Sequence, residues 1–502
     1  MSTSGNYAVP AGALTFLQRA DHSMLIGGRW QGAADGAWIE AHNPATGEYL
    51  GRFPAGRKAD VDVAVAAARE AFERGEWADF TPSERAALLW AIADTIACHA
   101  DELACLETLD QGKPLSHARS EMAGLEGQFR YFSGMATKIQ GETFKQSMNR
   151  HNPAGKQALA YSSKEPIGVV GVIVPWNAPL ILLAFKLAPA LAAGCTIVVK
   201  PAEQTSLSTL RFGELLVAAG VPAGVVSIVT GTGAEAGAAL AEHMDVDKIS
   251  FTGSTVTGRK IVAAAAGNLK KVSLELGGKS PAIFLQDADL QESIAGAVRA
   301  ITYNSGQICI AGSRLYAHEA IYDELVEGIA AVFRQLRVGD GMARGTQVGP
   351  MVNRVQADKV KGYIESGQSE GAQVLTGGGQ FGQTGCFIEP TVLVDTHSGM
   401  RCVQEEIFGP VLCCQKFDDS TDVAALANAT IYGLGASVWT QNLSAAHRLA
   451  EKIRAGVVWI NGHNVFDPAF PMGGYKQSGW SRDSGAQALD NFMETKTVVA
   501  LI

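Results

Sequence analysis

Three short stretches carry residue types that can do chemistry. Gln307-Ile308-Cys309 offers a thiol, Leu274-Glu275-Leu276-Gly277-Gly278-Lys279 a carboxylate, and Pro175-Trp176-Asn177-Ala178-Pro179 a lone amide donor between rigid prolines. A thiol is a nucleophile once deprotonated, and a carboxylate kept from bulk water is a proton acceptor. The glycines and aliphatic residues around both groups would hold them near backbone and out of solvent. Each also has a plain structural reading: Cys309 as a buried inert thiol, Glu275 as a helix cap or surface ion pair. The apolar neighbours of Glu275 argue against a solvated face, and spacing alone leaves both readings open.

Positioning such groups takes a large scaffold. At 502 residues the chain has room for two or three domains with cores of their own, and 47% hydrophobic with 18% charged residues describes a globular protein. The 56 glycines follow no three-residue period and point to tight turns and close backbone approaches. A net charge of −9 provides no basic footprint for nucleic acid, so small-molecule partners are expected. The eight cysteines include no Cys-x-x-Cys pair and no zinc-like spacing with histidine, so no metal is expected and they read as reduced thiols of a cytoplasmic protein.

Residues Met1 to His22 read as a loose leader without a targeting signal. Ile167 to Phe185 run without a charge, but Pro175, Asn177 and Pro179 interrupt the run, so a buried strand, loop and helix are expected in place of a membrane span.

Met24 to Trp30 and Ala37 to Asn43 read as short strands, and Ala59 to Arg74 and Ser83 to Thr108 as helices. From Ile167 to Leu276 strands alternate with helices, which argues for a parallel sheet covered on both faces, and a second alternating series follows to about Ser478. The expectation is an α/β protein with two parallel-sheet domains: residues 1–142 and 166–277 binding a dinucleotide, residues 278–478 carrying the thiol. Residues 143–165 and 486–502 hold two strand-like stretches without a nearby partner, read as an arm pairing with another subunit.

Three loops of the first series follow strands, where open parallel sheets bind ligands. They contain Trp176 and Asn177, then Lys200-Pro201-Ala202-Glu203, then Gly231-Thr232-Gly233 with Phe251-Thr252-Gly253-Ser254. The Glu203 carboxylate can accept from ribose hydroxyls, and glycine between strand and helix lets backbone N–H groups approach a pyrophosphate. The spacing is G-x-G-x-x-x-G, which also suits a plain strand-to-helix turn. Three such loops in one alternating unit point to a dinucleotide.

Four ordered blocks then carry a resemblance: Leu274 to Pro281, Asn304 to Cys309, Glu405-Glu406-Ile407-Phe408-Gly409-Pro410, and Pro471 to Gly479. They resemble the signature blocks of NAD(P)-dependent aldehyde dehydrogenases, from about residue 24 to the C-terminus, and the chain looks most like the bacterial phenylacetaldehyde dehydrogenases. The resemblance implies that Cys309 attacks the aldehyde, that the Asn177 amide and the Cys309 N–H hold the oxyanion, and that Glu275 activates the water that releases the acid. It further implies that Val174, Pro175, Trp176, Lys200, Glu203, Gly233, Phe251, Gly253, Ser254, Glu406 and Phe408 hold the cofactor. NAD is expected, with NADP also allowed, since Glu203 would repel a 2′-phosphate and Lys200 attract one.

Ala178, Leu182, Phe185, Ile308, Ile310, Phe466 and Met472 are expected to line the substrate pocket, with no charge for a charged aldehyde. Ala178 and Met472 depart from the phenylalanines common in the family, which points to a wider pocket. Asp483 and Ser481 replace a common glutamate and glycine. The arm read from the two strand-like stretches points to a homo-oligomer, dimer or tetramer.

Overall fold

The computed structural model describes residues 7–147, 156–382 and 384–502. The start of the expected leader, 1–6, and part of the expected arm, 148–155, lie outside the described residues.

Five parallel strands form the middle of an eight-stranded sheet: Lys271–Glu275, Lys248–Thr252, Val169–Ile173, Thr196–Lys200 and Val226–Ile228, in that spatial order. Every residue of Val169–Ile173 and of its two neighbours is buried, as the run of β-branched side chains requires when helices cover both faces. Antiparallel strands extend the edges, Gly479–Trp480 on one side and the pair Met24–Ile26 and Arg29–Gln31 on the other.

A seven-stranded sheet holds the second series. Its parallel part runs Thr391–Val394, Val411–Phe417, Arg314–His318, Pro281–Phe284, Gly435–Trp439 and Val457–Ile460, with Gln373–Thr376 antiparallel at one edge. The mixed α/β class with parallel sheets is as expected.

Several local expectations are corrected. Met24 to Trp30 is a hairpin and not one strand, because Gly27 (φ 58) and Gly28 (φ 79) adopt the left-handed conformation that a tight turn demands. The leader contains a helix, Ala11–Leu17, whose Ala13 and Phe16 are buried in the main core, so this part is packed and not loose. The two strand-like stretches do have a partner: each other. Ala158–Pro166 pairs antiparallel with Met493–Leu501 over its full length, and Thr143–Phe144 adds a third strand. Sequence distance hid this pairing, since the strands lie more than three hundred residues apart.

Among the described residues no helix is long and apolar enough to cross a membrane. The run from Ile167 to Phe185 divides into a strand, a loop and the start of the helix Pro179–Ala193.

Candidate active site

The thiol follows an unusual turn. After the helix Leu290–Thr302 the chain enters Asn304 (φ 46), Ser305 (φ 56) and Gly306 (φ 73), three successive left-handed residues. A side chain in this conformation costs about 1–2 kcal/mol, so neighbours must hold the turn. The Asn304 side-chain amide donates to the Asn177 carbonyl at 2.8 Å, and the Ser305 hydroxyl to the Gly349 carbonyl at 2.9 Å. The buried Gln307 side chain donates to the Asn304 carbonyl at 3.2 Å and accepts from the Val352 N–H at 3.0 Å.

Asn177 returns the contact: its side-chain Nδ2 donates to the Gln307 carbonyl at 2.8 Å. Two asparagines thus stitch the loop after Val169–Ile173 to the segment that carries Cys309. One of the two Nδ2 hydrogens of Asn177 is used in this bond, which leaves the second for another acceptor.

Glu275 ends the strand Lys271–Glu275, where it faces Gly479 across the edge pairing. Gly278 presses its loop against the thiol segment, because a Cβ there would stand 2.1 Å from the Cys309 carbonyl oxygen. The Oε1 of Glu275 is buried without a hydrogen-bond partner. Burial, and then the charge of Asp483, raise the Glu275 carboxyl well above its ordinary range, against the opposing pull of Lys186 and Arg482. Burial and the negative charges of Glu406 and Glu275 push the Cys309 thiol up to about 12, while the Cys309 and Ile310 N–H groups work the other way.

Sequence reading missed one pair here. Lys186, on Pro179–Ala193, is fully buried and makes a 2.7 Å ion pair with Asp483. A lysine inside so apolar a helix was the available signal, since a buried ammonium needs a partner. Which carboxylate answers it depends on Asp483 folding back, fixed by paired backbone hydrogen bonds to Met472 at 2.7 Å.

The residues expected around a dinucleotide gather at the carboxyl ends of the first sheet's strands. Lys200 ends its strand, is nearly fully buried, and its Nζ meets the Glu203 carboxylate at 3.0 Å. Gly233 opens the short helix Gly233–Gly237, and an added Cβ there would meet nothing within 4 Å. Ser254 caps the helix Thr255–Ala265 through the Thr257 N–H at 3.1 Å, and the Gly253 N–H donates to the Glu275 carbonyl at 3.0 Å. Phe251 and Val174 are buried, Pro175 follows Val174 in the chain, and Trp176 meets Phe408 edge-on at 5.2 Å. Glu406 accepts from the Gly278 N–H at 2.9 Å, and burial pushes its carboxyl up to about 7. Phe408 is itself left-handed (φ 60).

The expected pocket residues divide. Leu182 and Phe185 lie one turn apart on Pro179–Ala193 and are only partly buried, as are Ile308 and Met472. Phe466 is exposed, with its ring edge-on to Trp459 at 6.1 Å. Ala178 is buried just before the helix, and Ile310 packs into a small core with Leu434 and Trp459 that Cys309 also touches. No single contact joins all seven.

Known proteins resemble the chain along nearly its whole length. Residues 30–498 match the aldehyde dehydrogenase family. The chain is 48% identical over 478 residues to aldehyde dehydrogenase family 2 member C4 of Arabidopsis thaliana, covering 95% of this chain and 94% of that one. It is 43% identical over 484 residues to the phenylacetaldehyde dehydrogenase of Pseudomonas fluorescens, with 96% of each covered. The NAD+ complex of an aldehyde dehydrogenase from Bacillus cereus superposes with a TM-score of 0.95 at 46% identity, covering 99% of this chain and 100% of that chain. With thiol, amide and carboxylate brought together from three distant segments and likeness along nearly its whole length, the chain belongs to the aldehyde dehydrogenase family.

Proposed function

We propose that the protein oxidises an uncharged aromatic or arylalkyl aldehyde, such as phenylacetaldehyde, to the carboxylic acid with NAD. The observation that carries this is the Asn177 side chain bonded at 2.8 Å to the segment of Cys309, with the unpartnered Glu275 carboxylate close enough to raise that thiol. After its proton has passed to solvent, Cys309 adds as thiolate to the aldehyde carbonyl, forming a thiohemiacetal whose oxyanion the free Asn177 N–H and the Cys309 N–H hold. NAD, when bound, supplies the hydride acceptor that turns this adduct into a thioester. Glu275, its carboxyl raised by burial, then takes a proton from water as the water attacks the thioester, so that the carbon–sulfur bond breaks to release the acid and the Cys309 thiolate, and Glu275 returns its proton to solvent.

The site fits a dinucleotide. Gly233 faces open space at a helix N-terminus, where N–H groups favour a pyrophosphate, and Ser254 begins another. Lys200 and Glu203 would hold the adenosine ribose and Glu406 the nicotinamide ribose, with Val174, Pro175, Trp176, Phe251, Gly253 and Phe408 beside them. Because the Lys200 ammonium is already engaged by Glu203, the pair supports NAD over NADP.

For the substrate, the partly exposed Leu182, Phe185, Ile308, Phe466 and Met472 carry no charge, which supports an uncharged aldehyde, with Ala178 and Ile310 behind them. Likeness to the Pseudomonas fluorescens phenylacetaldehyde dehydrogenase supports the arylalkyl reading. Aliphatic aldehydes and benzaldehyde are the second reading within the class.

We further propose the division into residues 1–142 with 166–277, 278–478, and an arm of 143–165 with 486–502. The arm would make a homo-oligomer, dimer or tetramer, in the cytoplasm. NADH formation, followed by its absorbance, from phenylacetaldehyde, benzaldehyde, hexanal and betaine aldehyde tests the substrate. Phenylacetaldehyde should have the highest kcat/KM and betaine aldehyde the lowest, and Cys309→Ala should abolish turnover of all four. Undiminished turnover in that variant would sink the mechanism.

A further inference from the structure

A second buried cluster lies on the far side of the Cys309 turn. Lys113 and Glu107 are fully buried and Glu121 nearly so, and the Lys113 ammonium bonds both carboxylates. Burial works against the Lys113 charge, but Glu107 and Glu121 together raise it, so the ammonium persists inside the protein. Burial and the neighbouring Glu107 raise Glu121. The Tyr303 hydroxyl donates to Glu121 Oε1 at 3.3 Å, so the cluster reaches the residue that immediately precedes the turn.

His117 completes the connection from the first turn of the helix Leu115–Ala136. Its imidazole stacks on the Tyr303 ring with centroids 4.4 Å apart and planes 21° apart. Its Nδ1 lies 3.3 Å from the Asn304 N–H, which can only donate, so Nδ1 is the acceptor and the proton sits on Nε2. Burial and then Lys113 hold the His117 pKa at about 4, so the ring stays neutral and keeps this lone pair at neutral pH. The turn is thus gripped on both sides: Asn304 gives its side chain to Asn177 and its backbone N–H to His117.

We infer that His117 is a positioning residue for the Cys309 segment, holding the left-handed turn through the Asn304 N–H and the Tyr303 ring, with Tyr303 anchored on the buried Glu121. This rests on the reading of Cys309 as the nucleophile. A turn that relaxed towards ordinary backbone conformation would carry the thiol away from the Asn177 amide, and a displacement of this kind near 1 Å can cost up to about a hundredfold in rate.

The test uses the full chain with His117→Phe, which keeps the ring stack and removes the acceptor, and His117→Asn, whose side-chain oxygen can replace Nδ1. Hydrogen exchange of the peptide spanning residues 303–310 is followed by mass spectrometry beside steady-state kinetics. In His117→Phe, exchange in that peptide should quicken about tenfold and kcat fall about tenfold, with the aldehyde KM within about twofold of the parent, and His117→Asn, which supplies the acceptor without the ring, should recover part of both. Unchanged exchange or unchanged kcat in His117→Phe overturns the inference. So does faster exchange along the whole Leu115–Ala136 helix, or a loss that His117→Asn does not recover, since each marks general packing and not a grip on the turn. If His117→Phe does not fold, Tyr303→Phe carries the test: exchange and kcat equal to the parent overturn the inference, and a local rise in exchange with a fall in kcat supports it. A parent enzyme that oxidises no aldehyde sinks the functional reading, and the exchange comparison still decides the role of His117.

Discussion

At the scale of single residues, the site is governed by charges that cannot all be accommodated away from water. Glu275 is raised by burial and by Asp483 and lowered by Lys186, so the ion pair beside it bears on the carboxyl proposed as the base. A base works when deprotonated, so turnover limited by thioester hydrolysis should rise as pH passes upward through the Glu275 pKa. Asp483→Asn removes a raising charge and leaves the ammonium, and the ascending limb of the kcat profile should move to lower pH. Lys186→Met leaves the Asp483 charge unopposed, and the limb should move to higher pH. Superimposable profiles for the parent and both variants would show that the pair does not act on Glu275.

Elements position these residues through glycines that serve two different purposes. Gly306 is required by the backbone: its φ is 73, and a Cβ would stand 2.2 Å from the Gly409 carbonyl oxygen. Gly306→Ala should therefore lower the thermal midpoint by several degrees along with activity, at a strain cost of about 1–3 kcal/mol. Gly233 has no such duty, because a Cβ there meets no protein atom. Gly233→Ala should melt with the parent and yet raise the KM for NAD, since only the ligand is left to be crowded. Thermal shift and cofactor titration on the two variants separate the roles, and equal melting losses would contradict them.

At the scale of the molecule, the sheet formed by Met493–Leu501, Ala158–Pro166 and Thr143–Phe144 leaves apolar side chains in solvent on both faces. Leu159 and Tyr161 are 45% and 41% exposed on one, Val499 and Leu501 59% and 50% on the other. Burying such a side chain is worth about 1.5–3 kcal/mol, and an exposed row on a sheet with an open edge invites another chain. Leu159→Asp combined with Val499→Asp should shift the sedimenting mass to that of a smaller assembly with the far-ultraviolet spectrum retained. An unchanged mass would remove the arm from the assembly.

The residues proposed to do the chemistry were legible in the chain itself. Cys309, Glu275 and Asn177 stand in local frames of glycine, proline and aliphatic residues, and the strand-helix alternation that carries them is a local property of side-chain periodicity. What answers them from far away was not. Lys186 was visible as a cation in an apolar helix but its partner Asp483 was not, and neither was the pairing of Ala158–Pro166 with Met493–Leu501. The left-handed turn at Asn304 and Ser305, and the neutral His117 that meets it, were equally hidden. Charge compensation, strand partnership and the support of strained backbone are satisfied through space, so only the tertiary structure decides which distant group supplies them.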